Sequence, residues 1–247
     1  MIAAIFSAAL APTVLTGFQP IFNGKDLSGW TPKITGHTLG DNFANTFRIQ
    51  DGTITVSYDG YKNGFQDKFG HLFYKSAFKN YILRLEYRFI GTQCPGGPGW
   101  AYKNSGIMYH GQPANTMTLG QSFPVSGEFQ FLGADPGQTR GTGNLCTPGT
   151  HILKDAKTIR QHVIEVGGPS LAGDQWVKAE LEVNGHHIIH RINGLEVYRY
   201  QHLVFDPKDA DAKRILPTDS LEITSGTISL QSESHPIQFR NIELKVL

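Results

Sequence analysis

Cysteine, surplus charge and helical periodicity are all scarce in this chain, and each scarcity excludes something. Two Cys in 247 residues cannot staple a miniprotein. Neither has a neighbour at C-x-x-C spacing, so no zinc site is expected. Lys and Arg number 22 against 21 Asp and Glu, a net charge of +1, which gives no electrostatic case for nucleic acid or an anionic membrane surface. Long apolar runs are lacking too. The longest, Ile2 to Ala11, ends at Pro12, short of the roughly 20 residues that span a bilayer. Residues 1–18 carry no charge, and Ala9 and Ala11 form an A-x-A arrangement, as in the apolar core and cleavage site of a secretory signal. A basic leading region is absent, however, and Pro12 fits that cleavage site awkwardly. We expect residues 1–18 to be a signal peptide or a disordered N-terminus, and the protein to be periplasmic or secreted; a mature first strand or a misassigned start is the alternative. Export would let Cys94 and Cys146 form a disulfide, whereas in the cytosol they would be two free thiols.

Turn formers and aromatics are abundant. Gly (28) and Pro (13) make up 41 of 247 residues, above the roughly 12% of average usage, which points to many short strands. Apolar residues at 39% supply a packed core. Period-two alternation dominates from Phe47 onward. Thr46–Ile49 and Thr53–Ser57 flank Asp51-Gly52, a hairpin turn. Residues Tyr81 to Phe89 put Tyr81, Leu83, Leu85, Tyr87 and Phe89 on one face and Arg84, Glu86 and Arg88 on the other. A meander follows over 176–200, broken by Asn184-Gly185 and Asn193-Gly194, and the last strands are 226–231 and 237–247. The charged stretch Pro207–Leu216 suits a surface turn or a helix of one to two turns. With no repeat or linker visible, the pattern predicts one all-β domain over 19–247, a sandwich of two antiparallel sheets.

Several segments carry chemistry. In Asn104-Ser105-Gly106-Ile107-Met108-Tyr109-His110, the residues Asn104, Gly106, Met108 and His110 share a face, and an interior strand Gly marks a close approach by a ligand or another backbone. In Glu128-Phe129-Gln130-Phe131-Leu132 the two Phe go to the core, which turns Glu128 and Gln130 to the other face. Gln231 and Glu233 repeat that arrangement. His186 and His190 share a strand face but stand roughly 13 Å apart, too far for one metal, and are expected to face solvent.

These segments, with Phe22-Asn23-Gly24-Lys25-Asp26-Leu27-Ser28-Gly29-Trp30 at the start and Phe239-Arg240-Asn241-Ile242 at the end, resemble in order the 3-keto-disaccharide hydrolase domain family. The resemblance covers roughly residues 20–247 and implies a concanavalin A-like jelly roll acting on glycosides oxidised to a ketone at C3. His110 stands where the family pattern often has Arg, and Glu233 where it has His or Glu. Glu128 is the expected acid or base and His110 its partner, with Asn104, Gln130, Gln231, Glu233, Tyr109 and Trp100 expected to bind substrate. No cofactor is expected; calcium stays open for a lectin-like sandwich, although no D-x-D-x-D-G loop occurs. The expected partner is a carbohydrate, and oligomeric state is not legible. A carbohydrate-binding module or lectin without chemistry is the alternative, with Trp100, Tyr102 and Tyr109 as stacking platforms. Trp30 is expected to be scaffold.

Overall fold

A computed structural model describes residues 17–154 and 157–247, so the expected signal segment lies almost wholly outside the described residues. In chain order the strands are β1 (Gln19–Pro20), β2 (Trp30–Ile34), β3 (Phe47–Gln50), β4 (Thr53–Val56), β5 (Gly70–Tyr74), β6 (Tyr81–Phe89), β7 (Asn104–Gly111), β8 (Gly127–Leu132) and β9 (Leu145–Cys146). They continue as β10 (Thr150–Lys154), β11 (Lys157–Ile159), β12 (Val163–Ile164), β13 (Val177–Asn184), β14 (His187–Ile192), β15 (Leu195–Phe205), β16 (Thr227–Ser232) and β17 (Ile237–Val246). Helical structure among the described residues is confined to short 3₁₀ turns, one of them Ala212–Arg214 within the charged stretch.

Two antiparallel sheets result. The ten-stranded sheet runs β11-β10-β15-β14-β13-β6-β17-β4-β3, with β1 also paired to β17; the seven-stranded sheet runs β12-β9-β8-β7-β16-β5-β2. Asp51 and Gly52 close the β3–β4 hairpin with positive φ values of 50° and 71°, the backbone that a tight hairpin turn demands. Strand β6 buries every alternate residue from Tyr81 to Phe89 and leaves Arg84 in water. Across the interior the Tyr87 ring stacks on Phe131 at 4.1 Å and 6°, joining the sheets face to face. Trp30 is buried at the start of β2, packed edge-on against Tyr74, and its Nε1 donates 2.9 Å to the Ile21 carbonyl.

Three expectations are corrected. Cys94 and Cys146 are separate buried thiols: Cys94 packs in the apolar core, whereas Cys146 pairs with Glu128 across β8–β9. His190 is fully buried, because it lies opposite Leu181 on the core face of β14; it stacks on Phe129 at 4.1 Å and its Nδ1 contacts the Gly143 carbonyl at 3.1 Å. Tyr109 is no surface platform either. Its ring lies between the sheets, with its hydroxyl bonded to that of Tyr200 and near His190 Nε2.

Candidate active site

The outer face of the seven-stranded sheet forms the floor of an 840 Å³ cleft, within the range of small-ligand sites. Glu128 and Gln130 of β8, Asn104 of β7 and Cys146 of β9 lie on the floor; Trp100, Phe123, Arg140 and the 162–168 segment form walls, and Glu233 follows β16. Phe129 and Phe131 are fully buried in the interior, so the pleat turns the residues between them outward.

Gly106 makes room for Glu128. A Cβ at Gly106 would stand 2.9 Å from Glu128 Cγ, 2.9 Å from its Oε1 and 2.9 Å from the Phe129 carbonyl. The close approach expected at this glycine is therefore made by the Glu128 side chain and the neighbouring backbone, and the carboxyl lies over β7.

Glu128 and Glu233 are both buried, with one oxygen of each, Oε1 and Oε2 respectively, lacking a protein partner. Burial raises the Glu128 carboxyl to about 8, against opposing pulls from the Gln231 amide and the Cys146 thiol. Burial, followed by the charge of Glu128, pushes Glu233 well above the usual carboxylate range, and the Arg140 guanidinium partly offsets this. Two carboxyls that repel in a low-dielectric site cannot both ionise easily. Gln231 sits between them, its Nε2 donating 2.9 Å to Glu233 Oε1 while its own Oε1 is unpartnered. Burial and then the neighbouring carboxylates drive the Cys146 thiol upward, which favours its protonated form.

Hydrogen-bonding groups surround the pair. Asn144 Nδ2 donates 3.1 Å to Gln130 Oε1, which leaves the Gln130 NH₂ to donate into the cleft. Asn104 Nδ2 donates to the Trp100 carbonyl at 3.3 Å and its buried Oδ1 is unpartnered. Arg140 is held by the carbonyls of Trp100, Tyr102, Lys103 and Gly133, so its charge is fixed at the wall rather than free to swing. Trp100 is 55% exposed at the rim and stacks on Phe69 at 5.6 Å and 12°.

Most of the sequence-predicted site gathers here: Glu128, Gln130, Asn104, Glu233 and Trp100 line the cleft, with Gln231 bonded to Glu233. Tyr109 is in the core, and His110 is absent from the cleft wall. Strand β7 carries an extra residue relative to β16, since Thr227 pairs with Gly111 but Ser229 with Met108. His110, at φ 48°, lies within that bulge, which breaks the alternation on which its expected position depended. Its ring nitrogens have no protein partner, and burial lowers its pKa to about 4. Sequence reasoning missed Arg140 and Asn144. Asn144 was legible in principle, two residues before Cys146 on the face opposite Leu145, but the pairing of β9 with β8 was not.

The model of the 3-keto-alpha-glucoside-1,2-lyase-like domain family matches residues 17–245. A 3-keto-disaccharide hydrolase of Bacteroides thetaiotaomicron is 25% identical over 96% of this chain and 80% of its own length. Among solved structures, a candidate glycosyl hydrolase from Parabacteroides distasonis aligns at a TM-score of 0.54 and 20% identity, covering 97% of this chain and 98% of that one. The β-glucanase of Bacillus licheniformis aligns at 0.51 and 10% identity, covering 94% and 97%. These two likenesses bear out the concanavalin A-like jelly roll.

Proposed function

Because the chain belongs to the 3-keto-alpha-glucoside-1,2-lyase-like domain family, we propose that it cleaves glycosides whose sugar carries a ketone at C3. The observation that supports this reading best is the buried carboxyl pair, Glu128 and Glu233, facing one cleft with an unpartnered oxygen each. A C3 ketone acidifies the C2 proton. Removal of that proton by Glu128 gives an enolate, which expels the C1 substituent as Glu233 delivers a proton to the departing oxygen. Water then adds across the resulting C1–C2 double bond, completing a net hydrolysis. A base whose pKa sits near 8 suits abstraction of a weakly acidic C–H proton, and a carboxyl kept neutral by burial suits donation. Arg140 and the Gln130 amide would face the developing enolate charge, and Asn104 Oδ1 a sugar hydroxyl.

The part of partner to Glu128 thus passes from His110, which has no place on the cleft wall, to Glu233. Direct displacement at C1 by the same two carboxyls is the competing chemistry. A binding module without chemistry is the competing class, and the exposed, stacked Trp100 favours it. Incubation with a 3-keto-disaccharide and its unoxidised parent separates them: sugar released from the keto substrate alone supports the proposal, and binding with release from neither supports the module. Export remains part of the proposal on the strength of the apolar Ile2–Ala11 run. No helix among the described residues is long and apolar enough to cross a membrane.

A further inference from the structure

Three side chains that the cleft does not use meet on the ten-stranded sheet. His186 lies in the turn between β13 and β14, His202 in β15, and Glu222 in the connection from β15 to β16. The Nδ1 atoms of both imidazoles lie 2.6 Å from the same Glu222 oxygen, Oε1. One ligand atom from each of the three side chains lies within 4.8 Å of the other two, and among the described residues no other three His, Cys, Asp or Glu side chains come together in this way. The imidazoles stack at 4.5 Å and 24°, which presents their nitrogens side by side.

The backbone assembles this cluster. Ile152 pairs with Leu203 and Leu153 with Gln201, so His202 is the extra residue of a β-bulge, held at φ 58°. Such bulges re-aim a side chain out of the sheet's alternation, and here the His202 amide donates 3.0 Å to the His186 carbonyl. Glu222 bridges to Val204, and the bonds Phe205 N–Leu221 O (2.8 Å) and Ile223 N–Leu203 O (2.9 Å) hold it beside β15. Its own amide donates to Ser220 Oγ at 3.1 Å. The three groups are therefore positioned by main-chain bonds in three separate segments.

We infer that His186, His202 and Glu222 bind a divalent transition-metal ion of the zinc class, at a site separate from the cleft. Two imidazole nitrogens and one carboxylate oxygen are a donor set that suits zinc, nickel, cobalt or copper better than calcium or magnesium. With both imidazoles neutral the set carries one negative charge, complementary to the ion. Without an ion, two N–H donors compete for one oxygen at less than the usual 2.9 Å or so. Bonds of about 2.0–2.2 Å to a central ion would place the donor atoms roughly 3.3–3.5 Å apart, which relaxes the two 2.6 Å contacts. Side chains 47%, 36% and 29% exposed can make that adjustment and leave a fourth position open to water. Bound there, the ion ties the β15–β16 connection to the β13–β14 turn.

The test uses the full chain, stripped with a chelator, desalted and titrated with Zn²⁺ by calorimetry and with Co²⁺ by visible absorption. One ion per chain is expected, with ligand-field bands of the Co²⁺ form. A hundredfold excess over Kd should raise Tm by roughly 5–10 °C. His202→Ala and Glu222→Gln should each abolish binding and the Tm shift, while His37→Ala, at a separate His–Asp contact, should retain both. The metal-free Tm of each variant shows that it is folded. Failure of the wild type to bind, or binding unchanged in either His202→Ala or Glu222→Gln, overturns the inference.

Discussion

Gly106→Ala gives the sharpest test of the catalytic assignment, because it reaches Glu128 without altering any ionisable group. The added methyl would sit 2.9 Å from Glu128 Cγ and Oε1 and from the Phe129 carbonyl. The carboxyl can swing away, but the carbonyl belongs to the β8 backbone, so β7 and β8 must also part by a few tenths of an ångström. Overpacking of this kind costs about 1–3 kcal/mol, and loss of glycine's freedom in the unfolded chain returns about 0.4–1 kcal/mol. The net lowers Tm by at most about 10 °C at this chain length. Activity should suffer more: misplacing a catalytic group by about 1 Å can cost roughly 10²-fold. Thermal melting, kcat on a 3-keto-disaccharide and substrate Kd should be measured together. The expected result is a folded variant with near-normal affinity and kcat reduced about a hundredfold. A folded Gly106→Ala protein with wild-type kcat would refute the placement of Glu128 at the reacting atoms.

Glu128→Gln should abolish turnover with little loss of affinity, and deuterium at C2 should slow the wild type and wash out into solvent; complete retention of the label would rule out elimination. The pH dependence follows from the raised carboxyls. The unfolded Glu128 ionises near its ordinary 4.5 while the folded one holds its proton to about 8, so stability falls as pH rises across that window, and Glu128→Gln should flatten the fall in a denaturant series. Over the same window kcat/KM should climb as the base becomes available, and a flat profile would contradict the assignment. Trp30→Ala, which empties a buried indole site, should cost about 3–5 kcal/mol while leaving kcat per folded molecule unchanged. Denaturation without reductant should expose two titratable thiols; none, with two appearing on reduction, would restore the Cys94–Cys146 disulfide.

Local alternation made the sandwich legible. The strict pattern of Tyr81–Phe89 became a strand buried on one face, Asp51-Gly52 and Asn193-Gly194 became turns, Gly185 opened the β13–β14 turn with Asn184 still in the strand, and Phe129 and Phe131 went inward, leaving Glu128 and Gln130 outside. These features depend on the period of the pleat, which a sequence writes residue by residue. The same signal was available at His190, whose face-mates Ile188 and Ile192 are apolar and buried, although solvent was expected there. Other features depended on which strands became neighbours. Glu128 meets Glu233 because β8 and β16 flank the same strand, β7; Cys146 meets Glu128 instead of Cys94 because β9 pairs with β8. A single inserted residue in β7 takes His110 off the cleft wall, and another in β15 brings His202 to His186. Strand order and bulge position are set by burying the whole interior at once, a sum over contacts distant in sequence, and no local period encodes that sum.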